Sequence, residues 1–429
     1  MKLCVVGLGR LGLPWALVAD AAGHEVRGLD VDVARVAAIN ERRVDTREPG
    51  VAALLGDPRC GLIASTDPAE ALAQAEASVV CVPTASLADG SFDLTAVLGA
   101  VEAIGAEAHQ LRQRHVVVIK STVSPGATEG AVRAALTTAA GLDGPYLPGL
   151  VHAPEFHAIG SIVHDVTHPY QVILGGSEPW ALSRAQELYE SLTEPGVPIV
   201  RLDATGAELA KLASNSFRTM KIAFANSLAE LCSAYGSDPH AVCAAVGADP
   251  HVGRGYLGPG LPYGGPCYPR DNPALRAAAA AVGVPAPLPD AIEVANERRF
   301  EELDGAVATA SDGPIGIIGA GFKLDSDELE GSPALELAQR WRTGGHEVLI
   351  HDPLAPMADA TAAVSLGQLL DACAVVLLAT ADERIVAELR DELDGREHGP
   401  SVVDPWGALS RRRRACAATL LRASPRPGG

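Results

Sequence analysis

Gly7, Gly9 and Gly12 follow the short β-branched run LCVV and open an apolar, helix-patterned stretch. Glycines at this spacing between a strand and a helix dictate a tight turn whose backbone N–H groups, together with the helix N-terminus, can hold a pyrophosphate. Asp30 ends the next strand-like run, 18 residues past Gly12. A carboxylate there can accept hydrogen bonds from both hydroxyls of an adenosine ribose and repels a 2′-phosphate, which favours NAD over NADP. Asp30 and Asp32 could instead be ordinary turn residues. The order of strand, glycines, helix, strand and acid argues for a dinucleotide site, with Arg10 and Leu11 inside the turn.

The rest of the chain extends that beginning. From 3 to 203, runs such as EVRGLD, ASVVCVP, HVVVIKST, QVILGG and PIVRLD alternate with Ala/Leu/Glu-rich stretches at helical spacing, the signature of a parallel sheet wrapped by helices. Strand signal then vanishes. AELAKLASNSFRTMKIAFANSLAELCSAYG contains no proline, and its apolar residues recur three and four apart, so one long helix is expected. After Ser311-Asp312-Gly313-Pro314 the alternation resumes with PIGIIG, HEVLIHDP, AVVLLAT and SVVDP. PIGIIGAG with GGHEVLIHDP echoes KLCVVGLG with GHEVRGLDVD, a weak internal repeat. The expected fold class is α/β: two Rossmann-like parallel-sheet domains, residues 1–203 and 312–429, joined by a helical domain over 204–311.

A net charge of −19 disfavours nucleic acid or an anionic membrane as the main partner and demands a local cationic pocket for any anionic ligand. No apolar stretch reaches the roughly 18–20 residues that span a bilayer. Eight scattered cysteines without a CxxC pair suggest reduced thiols and a cytoplasmic setting. The run of arginines from 411 to 414 reads as a solvated helix end before a loose tail.

Three further groups carry chemistry. The second glycine set, Gly319 and Gly321, lacks a third glycine and runs into Phe322-Lys323, which suits a single anionic group beside a lysine, such as a substrate phosphate. Lys211 and Asn215, four apart on the predicted helix, emerge on one face and can converge on an oxyanion; surface solvation is the alternative. Cys267 sits in GGPCYPRD among glycines and prolines, an ordered loop rather than a core position, where a thiolate could attack a carbonyl. His152, His157, His164 and His168 surround Glu155, but their spacings of 5, 7 and 4 suggest no metal site.

Taken in order, GLGRLG, VCVPT, IKSTVSPG, APEF, AELAKLASN, GGPCYPRD and GFK resemble the nucleotide-sugar 6-dehydrogenases, the UDP-glucose/GDP-mannose dehydrogenase family, over nearly the whole chain. The resemblance implies a homodimer joined through the central helix. It also implies oxidation of a sugar C6 alcohol to the acid by two successive NAD molecules, through a thiohemiacetal and a thioester on Cys267. It assigns Thr122 and Asp271 to the water of proton transfer and hydrolysis and Glu155 to the general base, although Thr122 could be a helix N-cap. Val82, Pro83, Thr84 and Thr122 join the glycine turn in holding NAD. Glu155, Phe156, His157, Lys211, Asn215, Tyr263, Gly264, Gly265, Phe322 and Lys323 are implied to bind the nucleotide-sugar, a UDP-hexose first among the candidates.

The chain departs from the family pattern at Ala153, His157 and Ile159, where Asn, Leu and a second Glu are usual, and at His251, Glu330 and Trp406, where arginines are usual. Tyr268 and Arg270 replace the usual Phe and Lys. These changes avoid the residues assigned to chemistry, which predicts retained chemistry on an altered substrate. The competing expectations are a single two-electron hydroxyacid-type dehydrogenase with a structural Cys267, and a catalytically silent nucleotide-binding protein.

Overall fold

The computed structural model describes the chain apart from residues 112–113, 142–146, 309–312, 325–327, 356–363, 410–419 and 422–429. The arginine run and the tail lie outside the described residues, and so does part of the Ser311–Pro314 break. The chain divides into two compact units: Met1–Ala213 with Ala277–Gly283, and Ser214–Arg276 with Val284–Gly429.

The first unit is built on an eight-stranded sheet of β1 (Lys2–Val6), β2 (Glu25–Leu29), β3 (Ile63–Ser65), β4 (Ala77–Val80), β5 (Val116–Ile119), β6 (Gly149–His152), β7 (Val172–Gly175) and β8 (Ile199–Leu202), ordered β3-β2-β1-β4-β5-β6-β7-β8. All pairs run parallel except β6 with β7. Because consecutive side chains point to opposite faces, each inner strand feeds two cores. Leu3, Val5, Val79, Val118 and Val151 pack on one face, and Cys4, Val6, Val80, Val117 and Ile119 on the other. Two helices start the crossovers: α1 (Gly12–Ala21) and α2 (Val33–Asn40).

Helix α3 (Ala204–Tyr235) is the long helix expected from the apolar spacing. In the second unit, α4 (Tyr268–Ala281, whose last turn belongs to the first unit) and α5 (Pro287–Ala308) precede a five-stranded parallel sheet. It consists of β9 (Ile315–Ile318), β10 (Val348–His351), β11 (Val375–Leu378), β12 (Ser401–Val403) and β13 (Leu420–Leu421), ordered β10-β9-β11-β12-β13. Helix α6 (Pro333–Thr343) covers it, its N-terminus capped by Ser332, whose hydroxyl accepts from the Leu335 amide. No described helix is long and apolar enough to cross a membrane.

Candidate active site

In the first unit, the residues singled out from the sequence cluster at the carboxyl ends of β1, β2, β4, β5 and β6, where parallel sheets bind ligands. At the end of β1, Gly7 adopts φ +87°, and its N–H donates to the Leu29 carbonyl at 2.8 Å. A Cβ on Gly12 would stand 1.8 Å from the Gly7 carbonyl oxygen, whereas a Cβ on Gly9 would meet nothing within 4 Å. Gly7 and Gly12 are thus required by the turn itself, and Gly9 leaves room above it. No side chain caps α1, where Leu11 is the N-cap and Arg10 is exposed. This turn fits a dinucleotide pyrophosphate.

Asp30 is buried at the end of β2 and accepts from the Leu8 amide at 2.7 Å and the Asp32 amide at 2.9 Å. Arg35 Nη1, on α2, donates to both of its oxygens at 3.0 Å. Asp32 is the turn residue of the pair, capping α2 through the Ala34 and Arg35 amides. Arg35 escaped the sequence reading; its position five residues after Asp30, one turn into the helix, was the available signal. After β4 and β5, the Val82–Thr84 and Ser121–Thr122 loops clamp each other. The Val82 amide donates to Ser121 Oγ at 3.0 Å, Ser121 Oγ to the Val82 carbonyl at 2.7 Å, and Thr84 Oγ1 to the Thr122 carbonyl at 2.8 Å. No helix starts at Thr122, so it is not an N-cap. Pro83 is exposed on the same loop.

The loops after β5 and β6 bring together a buried charged cluster. Lys120 Nζ lies 3.0 Å from Glu155 Oε2 and donates to Tyr189 Oη at 3.4 Å. His157 Nδ1 lies 2.6 Å from Glu155 Oε1. Burial pushes the Glu155 carboxyl up, but His157 and Lys120 outweigh it and hold the group well below the usual carboxylate range. His152, at the end of β6, is fully buried with neither ring nitrogen hydrogen-bonded. Burial first, then Lys120 and Lys211, pushes its imidazole down to about 3, so it is neutral. Lys211, buried on α3, stands 5.1 Å over the Phe156 ring. Glu208, one turn earlier on the same helix face, accepts from the Gly126 and Thr128 amides at 2.5 and 2.8 Å and so ties the loop after β5 to α3. Lys120 and Glu208 were not picked out as functional from the sequence.

In the second unit, Cys267 directly precedes α4, and its carbonyl accepts from the Arg270 and Asp271 amides at 3.1 Å. A thiol at a helix N-terminus lies where negative charge is favoured. Of the described cysteines, only Cys267 is exposed, and none is in a disulfide. Burial pushes Cys4 and Cys81 up to about 12 and Cys373 up to about 11, which makes them inert thiols. Asn215 Nδ2 donates to Asp271 Oδ2 at 2.6 Å, both residues being buried, and Arg270 Nε faces Asp271 Oδ1 at 3.6 Å. Tyr263 is buried, its hydroxyl accepting from Asn272 Nδ2 at 3.2 Å.

The diglycine has a packing reason. A Cβ on Gly264 would lie 2.4 Å from the Gly331 carbonyl oxygen, and one on Gly265 would lie 2.5 Å from the Phe322 ring. The close approach is therefore to the protein's own Gly331 and Phe322. At the second glycine turn, the Ala320 and Gly321 amides donate to Asp352 Oδ2 at 2.6 and 3.2 Å. Those amides, expected to serve a phosphate, are committed to a carboxylate, and half-buried Lys323 is the cation the turn presents. At the departures, Trp406 packs against Gly260, where a Cβ would meet its ring at 2.3 Å, and exposed His251 lies 2.9 Å from Asp249 Oδ1. The four-residue histidine spacing does bring a pair together: the His164 and His168 rings are 4.4 Å apart, with Glu194 Oε1 2.8 Å from His168 Nε2. Among the described residues no group of three or more His, Cys, Asp or Glu could hold a metal ion.

Comparison with known proteins decides the family. Profiles of the UDP-glucose/GDP-mannose dehydrogenase family match in order: its NAD binding domain over 1–193, its central domain over 205–298 and its UDP binding domain over 316–411. The chain belongs to this family. It is 33% identical over 362 residues to a UDP-glucose 6-dehydrogenase of Pseudomonas aeruginosa, covering 83% of this chain and 79% of that one. To a GDP-mannose 6-dehydrogenase of Pseudomonas putida it is 29% identical over 440 residues, 98% of this chain and 99% of that one. A UDP-glucose dehydrogenase structure from Pyrobaculum islandicum superposes with a TM-score of 0.87 at 31% identity, covering 95% of each chain. As a family member the protein is an NAD-dependent oxidoreductase acting on the CH–OH group of a nucleotide-sugar.

Proposed function

We propose that this dehydrogenase oxidises the C6 alcohol of a nucleotide-sugar, most simply a UDP-hexose, to the carboxylate in two hydride transfers through a thioester on Cys267. The observation that carries the reading is Cys267 itself: an exposed thiol at the N-terminus of α4, four residues before an Asp271 that is locked to Asn215. NAD, when bound, supplies a hydride acceptor for each two-electron stage; Gly7, Gly9, Gly12, Asp30 and the Val82–Thr84 and Thr122 loops would hold it. Lys211 and Asn215 stabilise the oxyanion that develops when the alcohol loses its proton. The Cys267 thiolate adds to the aldehyde carbon, forming a C–S bond, and loss of a second hydride leaves the thioester. Water then displaces the thiolate, with Thr122 and Asp271 orienting it and Glu155 taking its proton as the general base. Within this reading residues 1–203 bind NAD, 204–311 dimerise and 312–429 bind the nucleotide-sugar, with Phe156, His157, Tyr263, Phe322 and Lys323 at the substrate.

The test is a panel of UDP-, GDP-, ADP- and dTDP-sugars with NAD, scored by NADH per product. Two NADH per carboxylate is the expected result. No NADH with any member, or one NADH with an aldehyde product, would overturn the reading.

The same proposal includes a homodimer. Phe217, Phe224 and Leu231 recur every seven residues along α3 and, with Tyr235, are exposed, an apolar stripe suited to a second copy of the same helix. Sedimentation should give twice the chain mass for the wild type and one chain mass for Phe224→Glu. A wild type that sediments as a single chain at micromolar concentration would sink the dimer.

A further inference from the structure

Asn215 is held from both ends of its carboxamide by residues of its own unit. Its Nδ2 donates to Asp271 Oδ2 at 2.6 Å, and its Oδ1 accepts from Arg218 Nη1 at 3.3 Å. Arg218 follows one turn later on α3, so the two side chains share a helix face. A guanidinium only donates and a carboxylate only accepts. Turning the amide over would set its N–H groups against the arginine and its oxygen against the aspartate, two repulsive contacts. One orientation is therefore selected, with one N–H of Nδ2 committed to Asp271 and the second left to donate elsewhere.

The arginine is fixed in its turn. Its guanidinium carbon lies 5.5 Å from the centroid of the Tyr256 ring, within the range of a cation–π contact. Tyr268, the first residue of α4, meets the same ring edge-on, with centroids 6.4 Å apart and planes at 72°. Tyr256 has φ +62°, a left-handed backbone that an aromatic residue rarely adopts. Strain of this kind persists only where the surroundings over-determine it, and here the ring is gripped by Arg218 and Tyr268. A cation so placed also polarises the amide: with positive charge at Oδ1, the N–H groups of Nδ2 become stronger donors.

We propose, on the reading of Asn215 as a donor to the alcohol oxygen, that Arg218 is a positioning residue for the oxidation. It fixes the plane of the Asn215 carboxamide and polarises it, so that the second N–H of Nδ2 meets the negative charge developing on that oxygen. In this role Arg218 acts through Asn215 and not on the reacting atoms.

Arg218→Leu removes the donor and keeps an apolar body against Tyr256. Arg218→Gln is the second variant, and Arg218→Lys, which keeps a cation and a donor, is the conservative one. Thermal midpoints establish that each is folded, and calorimetric titration follows NAD, whose glycine turn and Asp30 lie in the first unit. With the accepted nucleotide-sugar, the Leu and Gln variants are expected to lower kcat about tenfold with NAD affinity unchanged, a part of the loss on the order of 10²-fold that follows removal of a whole oxyanion donor. Arg218→Lys should recover most of the rate. The deciding readout is the Asn215→Ala background: a residue that acts through Asn215 has nothing left to position there, so Arg218→Leu should then change kcat less than about twofold. Equal losses in both backgrounds, a loss carried by KM alone, or a kcat within twofold of wild type for both single variants would overturn the assignment. If Asn215→Ala is slow while the Arg218 variants are not, only the positioning role is lost. If Asn215→Ala turns over like the wild type, Asn215 is no oxyanion donor and the two readings fall together.

Discussion

Cys267→Ala is expected to lower formation of the carboxylate by on the order of 10³-fold or more while leaving NAD affinity unchanged. Loss of a covalent nucleophile removes a whole reaction route rather than one hydrogen bond, and nucleophile knockouts in other enzymes give losses of this size or larger. NAD affinity serves as an internal control because the glycine turn and Asp30 hang on the ends of β1 and β2, held by bonds from Gly7, Leu8, Asp32 and Arg35. Calorimetric titration with NAD and a steady-state NADH assay read the two quantities separately. Turnover within tenfold of wild type would mean that Cys267 is structural and that the protein performs a single two-electron oxidation.

The second large effect is on stability. Lys120→Met should destabilise the fold by about 3–5 kcal/mol at pH 8, the usual result of removing one partner from a buried ion pair. The cost arises because Glu155 stays behind, buried and charged. The added variant Glu155→Gln should recover much of the loss, since a neutral amide needs no cation; the double-variant cycle then shows strong coupling. Urea midpoints at pH 8 check this, and a loss under about 1 kcal/mol would show that the pair is not the support proposed here.

Much of this architecture is readable in the amino-acid order, because it depends on local pattern. Runs such as LCVV and HVVVI are β-branched and buried on both faces, and the spacing in 204–235 fixes a helix without reference to anything distant. What escaped has a common cause. β3 and β13 are too short to show a period, and β6 is the run GLVH merging into APEF, where motif residues mask the strand. The reversal between β6 and β7 depends on pairing, which no run of residues encodes. Within the site, Glu155 and Cys267 stood out by motif, but the partners that set their behaviour are remote in sequence: Lys120 lies 35 residues before Glu155, and Asn215 lies 56 before Asp271. In the sequence His157 is a departure from the family pattern and an implied substrate contact; its ring lies against Glu155. Gly264 and Gly265 belong to the motif around Cys267, and what approaches them is Gly331 and Phe322.

The two glycine turns share one further device. Gly7 N–H reaches the Leu29 carbonyl and Leu8 N–H reaches Asp30, while Gly319 N–H reaches the His351 carbonyl and Ala320 N–H reaches Asp352. Each turn is therefore latched to its neighbouring strand by the protein's own carboxylate before any nucleotide arrives. A loop that is already rigid loses little conformational freedom on binding, so more of the interaction energy appears as affinity. The acid that ends the second strand of each unit is, in this sense, a preorganising brace.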